Sequence, residues 1–236
     1  MVMFMNEGDE TIKGRGPIAM KREKVLTYGD PDSVEGVIKL TKTGPGEWTG
    51  RVWDVEMPDA RRIKLTKEGV SLTQKSESWE LETLYDAKGR PKTIVVSSQF
   101  FEKPVKIDID EEKKRLDSLL PSLERGLGIT RKDIQRGDAD VSTNFKDTHI
   151  EIDNDEATIE TRTEKSKPQG RDGRRYDIAV HRRYENFSLD TISIMCGAFR
   201  EGNMGVNVAE EAVNMPKFLN LPEVKKEAER LRSLQR

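Results

Sequence analysis

The sequence predicts an α+β protein with two antiparallel β-sheets, a larger N-terminal meander and a smaller C-terminal one, each covered by helices, and a helical C-terminus. Three observations predict this class. Short segments of alternating apolar and polar residues recur about every 8–12 residues, which is typical of antiparallel strands with one wet face. A leucine stripe of helical period separates two groups of such segments. Charged residues make up 36% of the 236 positions, which argues against a parallel sheet buried on both faces.

The N-terminal part divides into an arm and a meander. Residues 1–33 are predicted to form a flexible arm with one short element near Ile18–Leu26, because glycines and prolines interrupt them without a clear hydrophobic period. Alternating segments follow over residues 34–109, with turns predicted at Gly44-Pro45-Gly46 and Asp86-Ala87-Lys88-Gly89. These segments are expected to form the first sheet.

A helix is predicted between the two sheets, over residues 110–125. Proline lacks an N–H and clashes with the preceding turn, so Pro121 is expected to break or kink this helix near Ser118. Thr130 and Asp133 have the spacing of a capping box, which predicts a short second helix. The leucines that form the apolar stripe of the first helix are Leu116, Leu119, Leu120, Leu123 and Leu127.

The C-terminal part is predicted to hold the smaller sheet, over residues 141–187, followed by helices. A polar loop over residues 165–173 separates two of the predicted strands. Asn207 with Glu210, and later Pro222, have the pattern of helix starts. A further helix is predicted where apolar residues are spaced i, i+3, i+4 and i+7, at Ile192, Met195, Cys196 and Phe199.

These elements divide the chain into three parts. Residues 1–33 form the arm, 34–128 the first sheet with its helix, and 129–236 the second sheet with the C-terminal helices. No repeat at the level of single residues relates the two larger parts. One continuous domain therefore fits the same pattern.

The composition excludes membrane-spanning and disulfide-rich classes. No run of about 18 apolar residues occurs, so no membrane contact is expected. The apolar run of five at the start is followed by acidic residues, unlike the longer apolar segment of a secretory signal. The single cysteine, Cys196, excludes an internal disulfide framework. We therefore expect a cytoplasmic protein in a reducing compartment.

Sequence motifs of catalysis are lacking. The Gly-x-Ser-x-Gly, Gly-x4-Gly-Lys-Ser/Thr and His-Glu-x-x-His patterns do not occur. His149 and His181 are the two histidines, and Cys196 falls on an apolar stripe, which is typical of a core thiol. We expect a protein that is not an enzyme and uses no cofactor. An enzyme that uses paired carboxylates stays open, because the chain has 43 acidic residues.

An acidic stretch resembles the start of a calcium loop but lacks its remaining ligands. In the stretch that begins at Asp138, the position that requires glycine is Thr143, and the position that requires glutamate is His149. We therefore predict no divalent-metal site over residues 138–155. An irregular site that uses Asp153 and Asp155 is left open.

Charge is concentrated in two adjoining segments of a nearly neutral chain. The net charge of −2 weighs against a general polyanion binder. Residues 138–160 carry −7, whereas residues 162–183 carry +5 and interleave arginines with tyrosines. Arginine suits phosphate contacts, and aromatic faces stack on unpaired bases. The predicted contact residues are Lys165, Lys167, Arg171, Arg174, Arg175, Tyr176, Arg182, Arg183 and Tyr184.

This basic segment predicts a non-catalytic binding or assembly protein within a larger complex, as part of a homo- or hetero-oligomer. Its partner would be nucleic acid or an acidic protein surface. A structural alternative is that the basic strand lies next to acidic residues of its own sheet and is neutralised there. A second functional alternative is a carrier whose curved first sheet encloses a small apolar ligand, lined by Trp48, Trp53 and Trp79.

Overall fold

The fold consists of two antiparallel sheets and four helices over the residues described by the computed structural model. These residues are 25–28, 38–51, 61–66, 69–76, 78–145, 148–153, 158–166, 173–196 and 204–233. The predicted α+β class, the two antiparallel sheets and the helical C-terminus are confirmed. No helix within these ranges combines the length and the apolar character needed to cross a membrane.

The first sheet is an eight-stranded meander in which each strand pairs with the next. Strand β1 lies inside the predicted arm, where residues 25–28 pair with β2. Among the described pairings, none joins β1 to β8. The strands are β1 (Val25–Tyr28), β2 (Ile38–Gly44), β3 (Glu47–Arg51), β4 (Arg61–Leu65), β5 (Val70–Lys75), β6 (Trp79–Tyr85), β7 (Pro91–Ser98) and β8 (Val105–Asp108).

The second sheet has six strands, again in sequence order. They are β9 (Val141–Phe145), β10 (Thr148–Asp153), β11 (Thr158–Ser166), β12 (Ile178–Glu185), β13 (Ser188–Cys196) and β14 (Met204–Asn207). The structure describes only part of the predicted polar loop, residues 165–173. Residues 165–166 belong to β11, and residues 167–172 lie outside the described ranges.

The helix predicted from Ile192 onward is wrong. This segment is strand β13, in which Ile192, Ile194 and Cys196 are buried while Ser193 and Met195 are half-buried. Residues at i and i+4 lie on one face of a helix and also on one face of a strand. Ile192 and Cys196 therefore fit both periods, and pairing with β12 and β14 stabilises the extended form.

Helix α1 (Ile109–Leu127) continues through Pro121, so of the predicted break or kink the break is wrong. Pro121 leaves the carbonyl of Asp117 without its helical donor, and both residues are exposed, so water can satisfy that carbonyl. The helix begins at Asp108, whose side chain accepts from the N–H of Glu111, and ends at Gly128 with φ of 72°. The predicted capping box is confirmed in α2 (Arg131–Arg136), which begins at Thr130.

Two further helices close the chain. Asn207 caps α3 (Val208–Leu219) by accepting from the N–H of Glu210, as predicted. Helix α4 (Pro222–Ser233) then follows. Helix α3 contacts the first sheet, where the Phe218 and Trp48 rings meet edge to face at 5.7 Å between centroids. Helix α4 approaches the turn between β2 and β3, where the N–H of Gly46 donates a 2.7 Å hydrogen bond to Oε1 of Glu227.

Two hydrophobic clusters hold these elements together. The first cluster joins β6, β7, β8 and α1 to the second sheet, so residues from both sheets share one core. In the second cluster, residues of strands β2, β3, β4 and β5 pack with residues of helices α3 and α4. Leu116 and Leu123 of α1 are buried in the first cluster. The predicted division at residues 128 and 129 stays a prediction.

Candidate functional site

The structure divides the predicted contact residues between the surface and the core. Arg182 and Tyr184, both on β12, are fully buried, so their assignment to a contact surface is wrong. Strand residues alternate between the two faces of a sheet, and these two positions share the inner face with Val180. The basic strand therefore has a buried arginine between two outward-facing residues, His181 and Arg183.

The guanidinium of Arg182 is held by an internal network. Its Nε donates to Oε2 of Glu112 on α1 at 2.5 Å, and its Nη1 donates to Oγ1 of Thr163 at 2.6 Å and to the carbonyl of Val180 at 2.8 Å. The hydroxyl of Tyr184 donates to the backbone carbonyl of Glu112 at 2.9 Å. Burial raises the pKa of Tyr184 to about 12, so this hydroxyl keeps its proton. The network ties β12 to α1.

On the outer face of the second sheet, basic side chains lie next to acidic ones. Arg183 Nε donates to Oε1 of Glu185 at 3.1 Å, and its Nη1 lies 3.9 Å from Oε1 of Glu160. His181 Nε2 lies 3.1 Å from Oε2 of Glu160. This arrangement corresponds to the structural alternative, in which the basic strand lies next to acidic residues of its own sheet.

Arg174 and Arg175 remain exposed just before β12. The next residue, Tyr176, packs its ring against Phe100 and Phe101, with centroids 6.4 and 6.1 Å apart. These contacts attach the segment to the connection between β7 and β8. The side chain of Lys165, and all of Lys167 and Arg171, lie outside the described residues. In the described part of the predicted site, two exposed arginines, Arg174 and Arg175, therefore precede Tyr176, whose ring packs on two phenylalanines.

A second buried polar group, which sequence reasoning missed, lies between α3 and the first sheet. The hydroxyl of Tyr85 donates to Oε2 of Glu211 at 2.5 Å. Burial raises the pKa of Glu211 to about 7, although the Tyr85 hydrogen bond and the charge of Arg61 act in the opposite direction. Glu211 is 1% exposed and Arg61 is 6% exposed. Both belong to the interior.

A sequence signal existed for both buried glutamates. Glu211 lies three residues after Val208 and four before Met215, within the buried stripe of α3. Glu112 occupies the equivalent place between Ile109 and Leu116 in α1. A charged residue within an apolar stripe of helical period predicts a paired buried charge, since isolated buried charges are strongly unfavourable.

The tryptophans proposed to line a ligand pocket take part in packing. Trp48 is buried in the second cluster and contacts Phe218, and Trp79 is buried in the first cluster. Trp53 lies outside the described residues. These contacts identify Trp48 and Trp79 as core residues of the first sheet.

Within the described part of the chain, no three His, Cys, Asp or Glu side chains are grouped so that they could hold a metal ion. Residues 154–157 lie outside it, so the predicted absence of a metal site over residues 138–155 stays a prediction. Cys196 is a buried free thiol on β13.

Comparisons with known proteins add no relative. No protein-family model, no curated protein and no solved structure matches the chain.

Proposed function

We propose that the protein is a non-catalytic binding protein of an assembly, and that it contacts an acidic protein surface through Arg174, Arg175 and the basic residues that precede them in the sequence, Lys165, Lys167 and Arg171. The observation that carries this proposal is the exposure of two adjacent arginines next to Tyr176, which is packed on Phe100 and Phe101. Because Tyr176 is packed, less conformational entropy is lost when the neighbouring arginines bind a partner. The planar guanidinium group of arginine suits bidentate contacts with carboxylates.

An acidic protein fits better than a nucleic acid. The nucleic-acid hypothesis relied on tyrosines that stack on bases, but Tyr184 is buried and Tyr176 already packs on two phenylalanines. The outer face of the second sheet also carries Glu160 and Glu185 beside its basic residues. Those carboxylates would repel a phosphate backbone that extends along β12.

A cytoplasmic site of action is part of the proposal. The single cysteine of the chain is a buried thiol. A thiol of this kind is compatible with a reducing compartment.

The test uses a fluorescent oligoglutamate peptide and a single-stranded oligonucleotide of the same net charge. The double variant R174A/R175A is compared with K225A/K226A, which removes the same charge from exposed positions of α4. We expect oligoglutamate to bind the wild type at low salt and to be released as salt rises. R174A/R175A is expected to weaken binding at least about fivefold, and K225A/K226A less than about twofold.

Each alternative has a distinct result. Absence of oligoglutamate binding by the wild type, or an equal loss in both double variants, would overturn the proposal. Tighter and salt-sensitive binding of the oligonucleotide, lost only in R174A/R175A, would replace the acidic protein by nucleic acid as the partner.

A further inference from the structure

The turn between β12 and β13 holds two residues in the left-handed region of backbone conformation. Glu185 pairs with Ser188, so the turn consists of Asn186 and Phe187, whose φ angles are 47° and 64°. Within the described ranges, no other residue apart from glycine has a positive φ. Two-residue hairpin turns with positive φ at both positions favour asparagine followed by glycine. Phe187 takes the place of that glycine, although its Cβ makes the left-handed conformation unfavourable.

The ring of Phe187 makes two contacts that glycine could not make. It is half-buried and packs against the first cluster. The guanidinium carbon of Arg131, the first residue of α2, lies over the ring at 4.6 Å from its centroid. A cation at this distance from an aromatic face is attracted by the ring electrons. The strained position therefore places an aromatic ring under the N-terminal end of α2.

Arg131 connects three elements at the surface. Besides its contact with Phe187, its Nη2 lies 3.4 Å from Oδ1 of Asp117 on α1. The side chains of that ion pair are 52% and 74% exposed, and exposed pairs contribute little to stability. From the inner side, α2 is anchored by Ile134, which is buried in the first cluster. The contact with Phe187 is therefore the main attachment of α2 on its outer side.

We propose that Phe187 and Arg131 form a conformational latch, in which the strained turn of the second sheet holds the N-terminal end of α2 in place. Residues 128–140 connect α1 to β9, so the latch fixes the path by which the chain enters the second sheet. Helix α2 has six residues, and so short a helix is not stable by its own hydrogen bonds. Release of the latch lets α2 open while both sheets stay paired. The latch uses neither Arg174 nor Arg175, so it is independent of the proposed function.

The experiment measures amide hydrogen exchange by NMR at Ile134 and Gly137, whose N–H groups donate to the carbonyls of Thr130 and Ile134. In R131A the ring loses its cation and the first cluster keeps its side chains. Alanine favours a helix more than arginine does, so faster exchange cannot come from a poorer helix former. We expect at least about fivefold faster exchange in R131A. K132A, which removes the same charge from the next exposed position, is expected to change it less than about twofold.

Variants of Phe187 test the other half of the latch. F187G and F187A both remove the ring, so both are expected to speed exchange at Ile134. The double variant R131A/F187G is expected to exchange no faster than F187G, because each single change already breaks the same contact. Glycine relieves the left-handed strain that alanine retains. F187G is therefore expected to melt about 2–4 °C above F187A.

Unchanged exchange in R131A or in F187G would overturn the proposal. So would an acceleration in D117N equal to that in R131A, because it would assign the effect to the ion pair with α1. Effects that multiply in the double variant would show that Arg131 and Phe187 act separately, and would also contradict a latch. Equal melting temperatures of F187G and F187A would show that the turn holds no strain.

Discussion

Arg182 Nε on β12 and Glu112 Oε2 on α1 lie 2.5 Å apart, and neither side chain is more than 2% exposed. Helix α1 belongs to the first cluster, together with residues of both sheets. The ion pair therefore fixes the second sheet to the helix that also packs on the first sheet. A buried charge of this kind is tolerated because it has a partner and several hydrogen bonds.

Removing one member of this pair is expected to be severely destabilising. Arg182→Ala removes the guanidinium that pairs with the buried Glu112 carboxylate, which is expected to lower the free energy of unfolding by about 3–5 kcal/mol. Arg183→Ala is the matched control, since Arg183 is 37% exposed and its partner Glu185 is 47% exposed. An exposed pair contributes about 0–1 kcal/mol. Urea denaturation of both variants measures the difference, and equal losses would contradict the structural role of Arg182.

The double variant Glu112→Leu with Arg182→Met tests whether the two buried charges stabilise each other. Replacing both charged side chains with apolar ones removes the free-energy cost of desolvating two charges. The double variant is therefore expected to be more stable than either single variant. A double variant as unstable as the sum of the two singles would show that the charges act independently.

Much of the fold could be predicted from local patterns. Strand β6 alternates along its length, and the capping box at Thr130 follows from two side chains three residues apart. The segment from Ile192 to Cys196 could not be assigned in this way. Its apolar residues fit both a helix and a strand, and pairing with β12 and β14 decides between them.

The site was less predictable because a charge pattern does not reveal which face of a strand points inward. Arg182 and Arg183 are adjacent in the sequence, yet one is in the core and the other on the surface. The partner of Arg182 is 70 residues away in the sequence, on another element. Only the three-dimensional packing of α1 on the sheet brings Glu112 to that position.

Glu211 is expected to make stability depend on pH. Its pKa is raised to about 7 in the folded protein from an ordinary value of 4.5, mainly by burial. The folded state therefore holds this proton more tightly than the unfolded state. The resulting stabilisation is fully present below about pH 4.5 and is lost as pH rises through about 7, and its size is about 3 kcal/mol.

The variant Glu211→Gln isolates this dependence. Glutamine cannot ionise, so the free energy of unfolding of the variant is expected to lack the fall that the wild type shows between about pH 5 and pH 8. The charged or titratable groups near Glu211 are Tyr85, Arg61 and Glu210, which both forms retain. Glu124→Gln, at an exposed position of α1, is the control. Parallel pH curves for the wild type and Glu211→Gln would assign the fall to another group.

Glu227 is expected to have the opposite pH dependence. Hydrogen bonds from Arg230, Lys42 and the N–H of Gly46 lower its pKa to about 2. Its stabilisation is therefore present above about pH 4.5 and is lost as pH falls towards 2. Glu227→Gln is expected to lower the free energy of unfolding by about 1–3 kcal/mol at neutral pH, a difference that closes in acid. Glu229→Gln, exposed on the same helix, is expected to have little effect at either pH.

The leucine stripe of α1 gives a graded prediction along one helix. Leu123 is 2% exposed in the first cluster, Leu120 is partly buried against it, and Leu127 is 48% exposed near the end of the helix. Leu123→Ala is expected to destabilise by about 2–5 kcal/mol, because it removes transfer free energy and leaves a cavity between the sheets. Leu127→Ala is expected to change stability by less than about 0.5 kcal/mol, since alanine is a good helix former at an exposed position. Leu120→Ala is expected to fall between them. Denaturation in urea tests the order, and a loss for Leu127→Ala equal to that for Leu123→Ala would contradict the different burial of these two leucines.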